Sequence, residues 1–209
     1  MSNVAMIRFL TAMVTTFLAI AGFARADPPV PRMVPSGWND VPGSDLSKYD
    51  GFAWYVLPVV VPEAWSPSSL RLELGSIDDA DETFFDGVRL GGTGGMPPQA
   101  RSAWQSARRY TVPASLVRPG RIAIIAVRVH DSGGNGRIWR GTPRLEGPDG
   151  ALDLSGAWLF TVGDDPGAID ATAGPVRRAR LEKEAAAAGL AAAGGVASRW
   201  IAASRAEPP

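Results

Sequence analysis

Between residues 51 and 162 the chain repeats one pattern, a short apolar run followed by a cluster of turn-forming residues, with no helical periodicity in between. The runs are FAWYVLPVVV (52–61), LRLEL (70–74), TFFDGVRLG (83–91), RRYTV (108–112), RIAIIAVRVH (121–130), a weaker RIWRGTPRLEG (137–147) and LDLSGAWLFTV (152–162). Strands at this spacing, without intervening helices, predict an antiparallel β-sandwich. LRLEL alternates cleanly, setting Leu70, Leu72 and Leu74 on one face and Arg71 and Glu73 on the other. Trp54, on the first run, is expected to be buried. Pro58 in the same run cannot donate to a ladder, so that strand is expected at a sheet edge or with a bulge. The 24 glycines and 18 prolines suit a fold of many short strands and turns.

The flanks differ in character. Arg8, the uncharged apolar run FLTAMVTTFLAIAG (9–22) and the small-x-small segment Ala24-Arg25-Ala26 predict a signal peptide over 1–26, cleaved before Asp27. The competing reading is an uncleaved N-terminal anchor, although the run falls short of the ~20 residues that a span needs. No cysteine follows the cleavage site, which rules out a lipoprotein anchor. A periplasmic or secreted protein with no membrane span after cleavage is therefore expected. Residues 27–50, rich in Pro, Gly, Ser and Asp, read as an extended lead-in to a sandwich domain over 51–165. Residues 166–209 read as a linker and an Ala/Arg-rich tail. Helix formers between about 177 and 203 predict a loosely held helix interrupted by Gly189, Gly194 and Gly195, or a disordered tail.

Several chemistries are excluded or unsupported. The chain has 21 basic and 21 acidic residues, and removing Arg8 and Arg25 with the signal leaves 19 against 21. That balance gives no electrostatic footprint for nucleic acid. With no cysteine there is no disulfide, thiolate nucleophile or Cys-based zinc site. No nucleophile elbow, P-loop, dinucleotide fingerprint or H-E-x-x-H occurs. His130 is the one histidine, and at the end of an alternating strand it reads as a polar-face or rim residue.

The stretch IDDADETFFDG (77–87) gathers five carboxylates around two phenylalanines. Asp86-Gly87 predicts a two-residue hairpin turn, which makes Asp86 a turn former. Phe84 and Phe85, being adjacent, must point to opposite faces. Asp78, Asp79, Asp81 and Glu82 are expected to precede the strand. The favoured reading is structural, carboxylates that solvate a strand end or accept from turn amides and arginines; the alternative is a calcium site. No other cofactor is expected.

WYVLPVVVPEAW, LRLELGSIDDADETFFDGVRLGGTGGMPP, AWQSARRYTVPASLVRPGRIAIIAVRVHDSGGNG and LSGAWLFTVGDD, in this order, resemble a known accessory module. It is the jelly-roll, galactose-binding-like "sugar-binding" domain of glycoside hydrolase family 2 and β-galactosidase-like proteins. The version inserted in sialate O-acetylesterase-like hydrolases is the most similar. The resemblance covers roughly 38–165, with Asp86 where that family's hairpin carries an asparagine. It implies an all-β jelly-roll sandwich and a carbohydrate or glycoconjugate ligand, or a partner hydrolase that the module supports. It brings no catalytic centre, because the esterase relatives' nucleophile and Asp-x-x-His motifs are absent from this chain. A non-catalytic carbohydrate-binding module is thus expected. The alternative is a periplasmic interaction or ligand-sensing protein with a sensor partner.

Any ligand should be gripped by the loops that the strands hold. The candidates are Trp104 in 92–107, Asp131 and Asn135 in 131–137, and Trp139 at the start of 138–144. Arg108 and Arg109 adjoin the first loop and are expected to offer planar forks to sugar hydroxyls or a carboxylate. A flat aromatic beside a few polar groups is what a sugar site requires. The simpler reading is that Trp104 only pins its loop.

Overall fold

The computed structural model describes residues 30–38, 45–166, 178–179, 182–183 and 195–196. They form two antiparallel sheets packed face to face. One sheet has the order β1 (Val30–Val34), β12 (Gly156–Val162), β3 (Gly51–Val60), β8 (Ile122–Asp131), β5 (Ala80–Phe85) and β6 (Val88–Thr93), with β13 (Gly195–Val196) also pairing β3. The other centres on β4 (Leu70–Ile77), which pairs along one side with β7 (Ala107–Val112). Its other side meets β10 (Arg144–Gly147) and then β9 (Arg137–Arg140). β11 (Gly150–Asp153) extends from β10, and β2 (Ser36–Gly37) from β9. The expected all-β sandwich is what the chain adopts.

Alternation builds the core. Tyr55, Leu57, Phe85, Ile125, Val127, Val129 and Phe160 of the first sheet meet Leu70, Leu72, Leu74, Val112, Ile138 and Leu145 of the second. Asp86 and Gly87 take positive φ of 48° and 79°, the left-handed pair that a two-residue hairpin needs. Asp86 also does more than turn. Its carboxylate accepts the Ile124 amide at 2.8 Å, and its own amide donates to the Ile124 carbonyl at 2.8 Å. Phe85 enters the core while Phe84 faces outward, as adjacency requires.

Three expectations change. β3 is an interior strand in unbroken register with β8, neither an edge nor bulged. Pro58 is tolerated because the β12 ladder ends at Val56, and β13 pairs only Val59 and Val60. The lead-in is part of the sandwich: β1 pairs β12, β2 pairs β9, and Trp38 is fully buried against Tyr49 and Phe160. The weak run 137–147 is two strands, separated around Gly141 at φ 93°.

The outer face of the first sheet carries a second apolar cluster of Trp54, Val56, Val60, Ile122, Ile124, Ala126 and Leu159, all at most 4% exposed. Trp54 is therefore buried, but on this face and not between the sheets. The tail binds along the cluster's border. Arg178 donates to Asp86 and to the Ile122 carbonyl, and Arg121 pairs with Glu182. Arg178, Ala179, Glu182 and Lys183 are helical, whereas Gly195–Val196 is strand, not the helix expected through 203. The rest of that expected helix, like the signal segment, lies outside the described residues. Deleting residues 175–209 should lower the melting temperature by roughly 5 °C or more and raise binding of a hydrophobic dye. Thermal denaturation of both chains, with dye fluorescence before the transition, checks it.

Candidate functional site

One end of the sandwich interior is polar. On β5 the inward positions are Asp81, Thr83 and Phe85, and on β7 they are Arg108, Tyr110 and Val112. Arg108 and Asp81 meet across the two sheets, Nε to Oδ1 at 2.8 Å, with both side chains fully enclosed. The other Asp81 oxygen accepts from Tyr110 at 2.7 Å and Thr83 at 2.9 Å. Arg108 directs Nη1 to the carbonyls of Ala103 and Ser106, both at 2.6 Å, and Nη2 to the Asp79 carbonyl at 3.1 Å. Each buried charge thus has hydrogen bonds as well as a counterion, the condition under which burial is tolerated. Burial, then Asp81 beside it, pushes the Tyr110 phenol up, so it remains a donor.

This bridge fixes two segments at the surface, the turn at 78–79 and the loop from 94 to 106. The Ala103 amide donates to the Asp79 carbonyl at 2.7 Å, and the Asp78 amide to Arg137 at 3.0 Å. The Asp79 carboxylate accepts from the Ser102 and Ser132 hydroxyls and, at 2.9 Å, from the Ser132 amide. A third loop, 132–136, is held by the Trp38 amide, which donates to the Gly136 carbonyl at 2.9 Å. Gly136 lies flat on the Trp38 indole; a Cβ there would stand 1.6 Å from the ring.

Together these segments line an open depression of about 430 Å³ formed by Asp78, Asp79, Ser102, Trp104, Ser132, Gly133, Gly134, Asn135 and Arg137. Trp104 stacks on Trp139 with centroids 6.0 Å apart and planes 26° apart. Arg137 and Arg140 place their guanidinium carbons 4.5 and 4.8 Å from the Trp139 ring centre. Trp104 is 42% exposed, so a flat aromatic surface stands at the rim. An oxygen each from Asp78, Asp79 and Asp131 lie within 4.8 Å of one another. Burial, followed by the charges of Asp131 and Asp79, pushes Asp78 up to about 6. Burial also raises Asp131, with Asp79 and Asp50 adding to it and the Gly133 amide opposing. Burial acts on Asp79 too, but hydrogen bonds from Ser102 and Ser132 outweigh it and hold that carboxyl below its usual range.

The sequence matches no family model and no curated protein. Among solved structures the chain is similar to a glycoside hydrolase family 2 member from Bacteroides cellulosilyticus, at 15% identity and a TM-score of 0.41, over 63% of this chain and 16% of that one. It is similar to Ruminococcus gnavus β-glucuronidase at 14% identity and a TM-score of 0.41, over 63% of this chain and 22% of that one. A third is the β-D-glucuronidase of Dictyoglomus thermophilum, at 14% identity and 0.39, over 67% and 28%. The chain thus spans less than a third of each. At such identities and scores the likeness carries nothing about ligands, and the chemistry rests on the site's own residues.

The structure redistributes the candidate ligand residues. Trp104 and Asn135 line the depression, Trp139 backs Trp104, and Asp131, buried and not a lining residue, groups with Asp78 and Asp79. Trp139 belongs to β9 and not to a loop. Arg108 is a correction: it is sealed inside the sandwich and bonded to Asp81 and three backbone carbonyls, because alternation on β7 turns it inward. The same alternation turns Arg109 outward, where it pairs with Glu73 at 3.1 Å, and it does not line the depression. The four acidic candidates also separate. Asp81 and Glu82 lie within β5, not before it; Asp81 is taken by Arg108, and Glu82 pairs with Arg128 and Arg89 on the outer face. Only Asp78 and Asp79 remain, joined by Asp131. His130 is 9% exposed, packed on Phe52 at 4.7 Å between ring centres.

Ser102, Ser132 and Arg137 were not anticipated. Ser132 directly follows Asp131 and Arg137 opens the β9 run, so proximity to anticipated residues was the available signal; Ser102 had none. Arg108→Ala should cost ~3–5 kcal/mol, because Asp81 would be left buried without its counterion. Urea denaturation of the variant measures it, and Arg109→Ala should cost under about 1 kcal/mol, as exposed pairs do.

Proposed function

We propose that this chain is a secreted, non-catalytic carbohydrate-binding module that takes its glycan in the depression beside Trp104. The observation that carries this reading is the meeting, on one surface, of a half-exposed indole stacked on Trp139 with a polar floor of Asp78, Ser102, Ser132 and Asn135. A sugar ring presents an apolar C–H face to such an indole and hydroxyls to such a floor. The backbone around the floor is held by Arg108 and Trp38, so the site exists before a ligand arrives and loses little entropy on binding. The resemblance of residues 38–165 to the jelly-roll domain of family 2 glycosidases and sialate O-acetylesterase-like hydrolases supports the same ligand class. The export pattern at 1–26 suits a protein that meets glycans outside the cytoplasm.

The two serine hydroxyls in the depression, Ser102 and Ser132, donate to Asp79, whose carboxyl is held below its usual range and is a weak base, and no histidine is among the lining residues. That supports binding over hydrolysis. Tryptophan fluorescence should change and saturate when the protein is titrated with a binding glycan from a panel of neutral and acidic oligosaccharides. Trp104→Ala should weaken that affinity about tenfold or more while leaving the melting temperature within a few degrees of wild type. Unchanged affinity in a folded Trp104→Ala variant, or no glycan bound at all, would reject this surface. The latter would favour support of a partner hydrolase.

A further inference from the structure

Asp78 and Asp79, which line the depression, form an acidic group with the buried Asp131. Arg108 is neutralised by Asp81, and Arg137 stands with Nε 3.6 Å from Asp78 Oδ2, beyond a hydrogen bond. Asp79 is stabilised by the donors of Ser102 and Ser132. Asp131 is different. Its side chain is fully buried, one oxygen accepts the Gly133 amide at 3.1 Å, and Oδ2 is buried with no hydrogen-bond partner among the described residues. A buried carboxylate oxygen without a donor is costly unless a cation meets it.

We propose that Asp131, with Asp78 and Asp79 that line this depression, binds a calcium-class divalent cation beside it. Calcium–oxygen distances of about 2.3–2.6 Å put donors on opposite sides of one ion roughly 4.6–5.2 Å apart. The three carboxylate oxygens, within 4.8 Å of one another, fit around a single such ion. The donors are all hard oxygens, and among the described residues no histidine joins the group, which suits calcium and not zinc. The open side of the depression leaves room for water to complete the shell. Such an ion links the 78–79 turn to the loop after β8, so it stiffens two of the three walls of the site. It does so whether or not a sugar occupies the depression.

The full chain, stripped with EDTA, is titrated with calcium chloride while melting temperature and calorimetric heat are followed. A saturable rise of roughly 5–10 °C at a hundredfold excess over the dissociation constant is expected. Magnesium, which demands a smaller and more regular shell, should give a smaller rise at equal concentration. Asp131→Asn should lose at least tenfold in calcium affinity, and so should Asp78→Asn, whose own contacts are weak enough to leave the fold intact if Asp131→Asn does not fold. Glu82→Gln, on the outer face, should respond as wild type. The absence of a saturable calcium effect in wild type would overturn the proposal. So would an effect that survives unchanged in a folded Asp78→Asn variant.

Discussion

The ion pair between Arg108 and Asp81 organises the polar end of the sandwich. It crosses from one sheet to the other inside the sandwich, where apolar side chains fill the remaining volume. Taking both charges out of water is unfavourable on its own. The cost is offset because both side chains are hydrogen-bonded beyond the pair itself, Asp81 to Tyr110 and Thr83, and Arg108 to the carbonyls of Ala103, Ser106 and Asp79. Those three carbonyls belong to surface segments. A buried charge therefore dictates the backbone of the loop that carries Trp104 and of the turn that carries Asp78 and Asp79. An apolar pair of equal volume would fill the space without specifying either path.

The electrostatics of the surface follow from this placement. With Arg108 consumed by Asp81, the neighbouring Asp78, Asp79 and Asp131 have little positive charge to meet, and burial raises Asp78 and Asp131 instead of letting them ionise freely. Asp79 escapes because serine donors reach it from both flanking loops. Three adjacent carboxylates thus have three environments. Trp104, stacked on Trp139, sets a flat apolar surface on the same depression as the acceptors of Asp78 and Asp79.

The opposite face of the first sheet shows how the tail is used. Trp54, Val56 and Leu159 would be an exposed apolar patch on an isolated sandwich. Arg178, Glu182 and the Gly195–Val196 strand bind at its margins, and the last of these uses the stretch of β3 that β12 leaves unpaired. Pro58 and the tail strand are thereby two consequences of one local fact, the early end of the β12 ladder.

The sequence by itself determined the sandwich, the Asp86-Gly87 hairpin and the division of Phe84 from Phe85, because period-two alternation and left-handed turn residues are local properties that a short window contains. It also brought Trp104, Asn135 and Trp139 forward as polar-loop neighbours. It could not separate Arg108 from Arg109, or Asp81 from Glu82, since adjacent identical or like-charged residues carry no mark of which faces inward until the register of β5 and β7 across the two sheets is set. Nor could it bring Asp131 to Asp78 and Asp79, some fifty residues earlier. Only tertiary structure decided those positions, because side-chain charge is compensated through space, by whatever residues the folded strands place alongside.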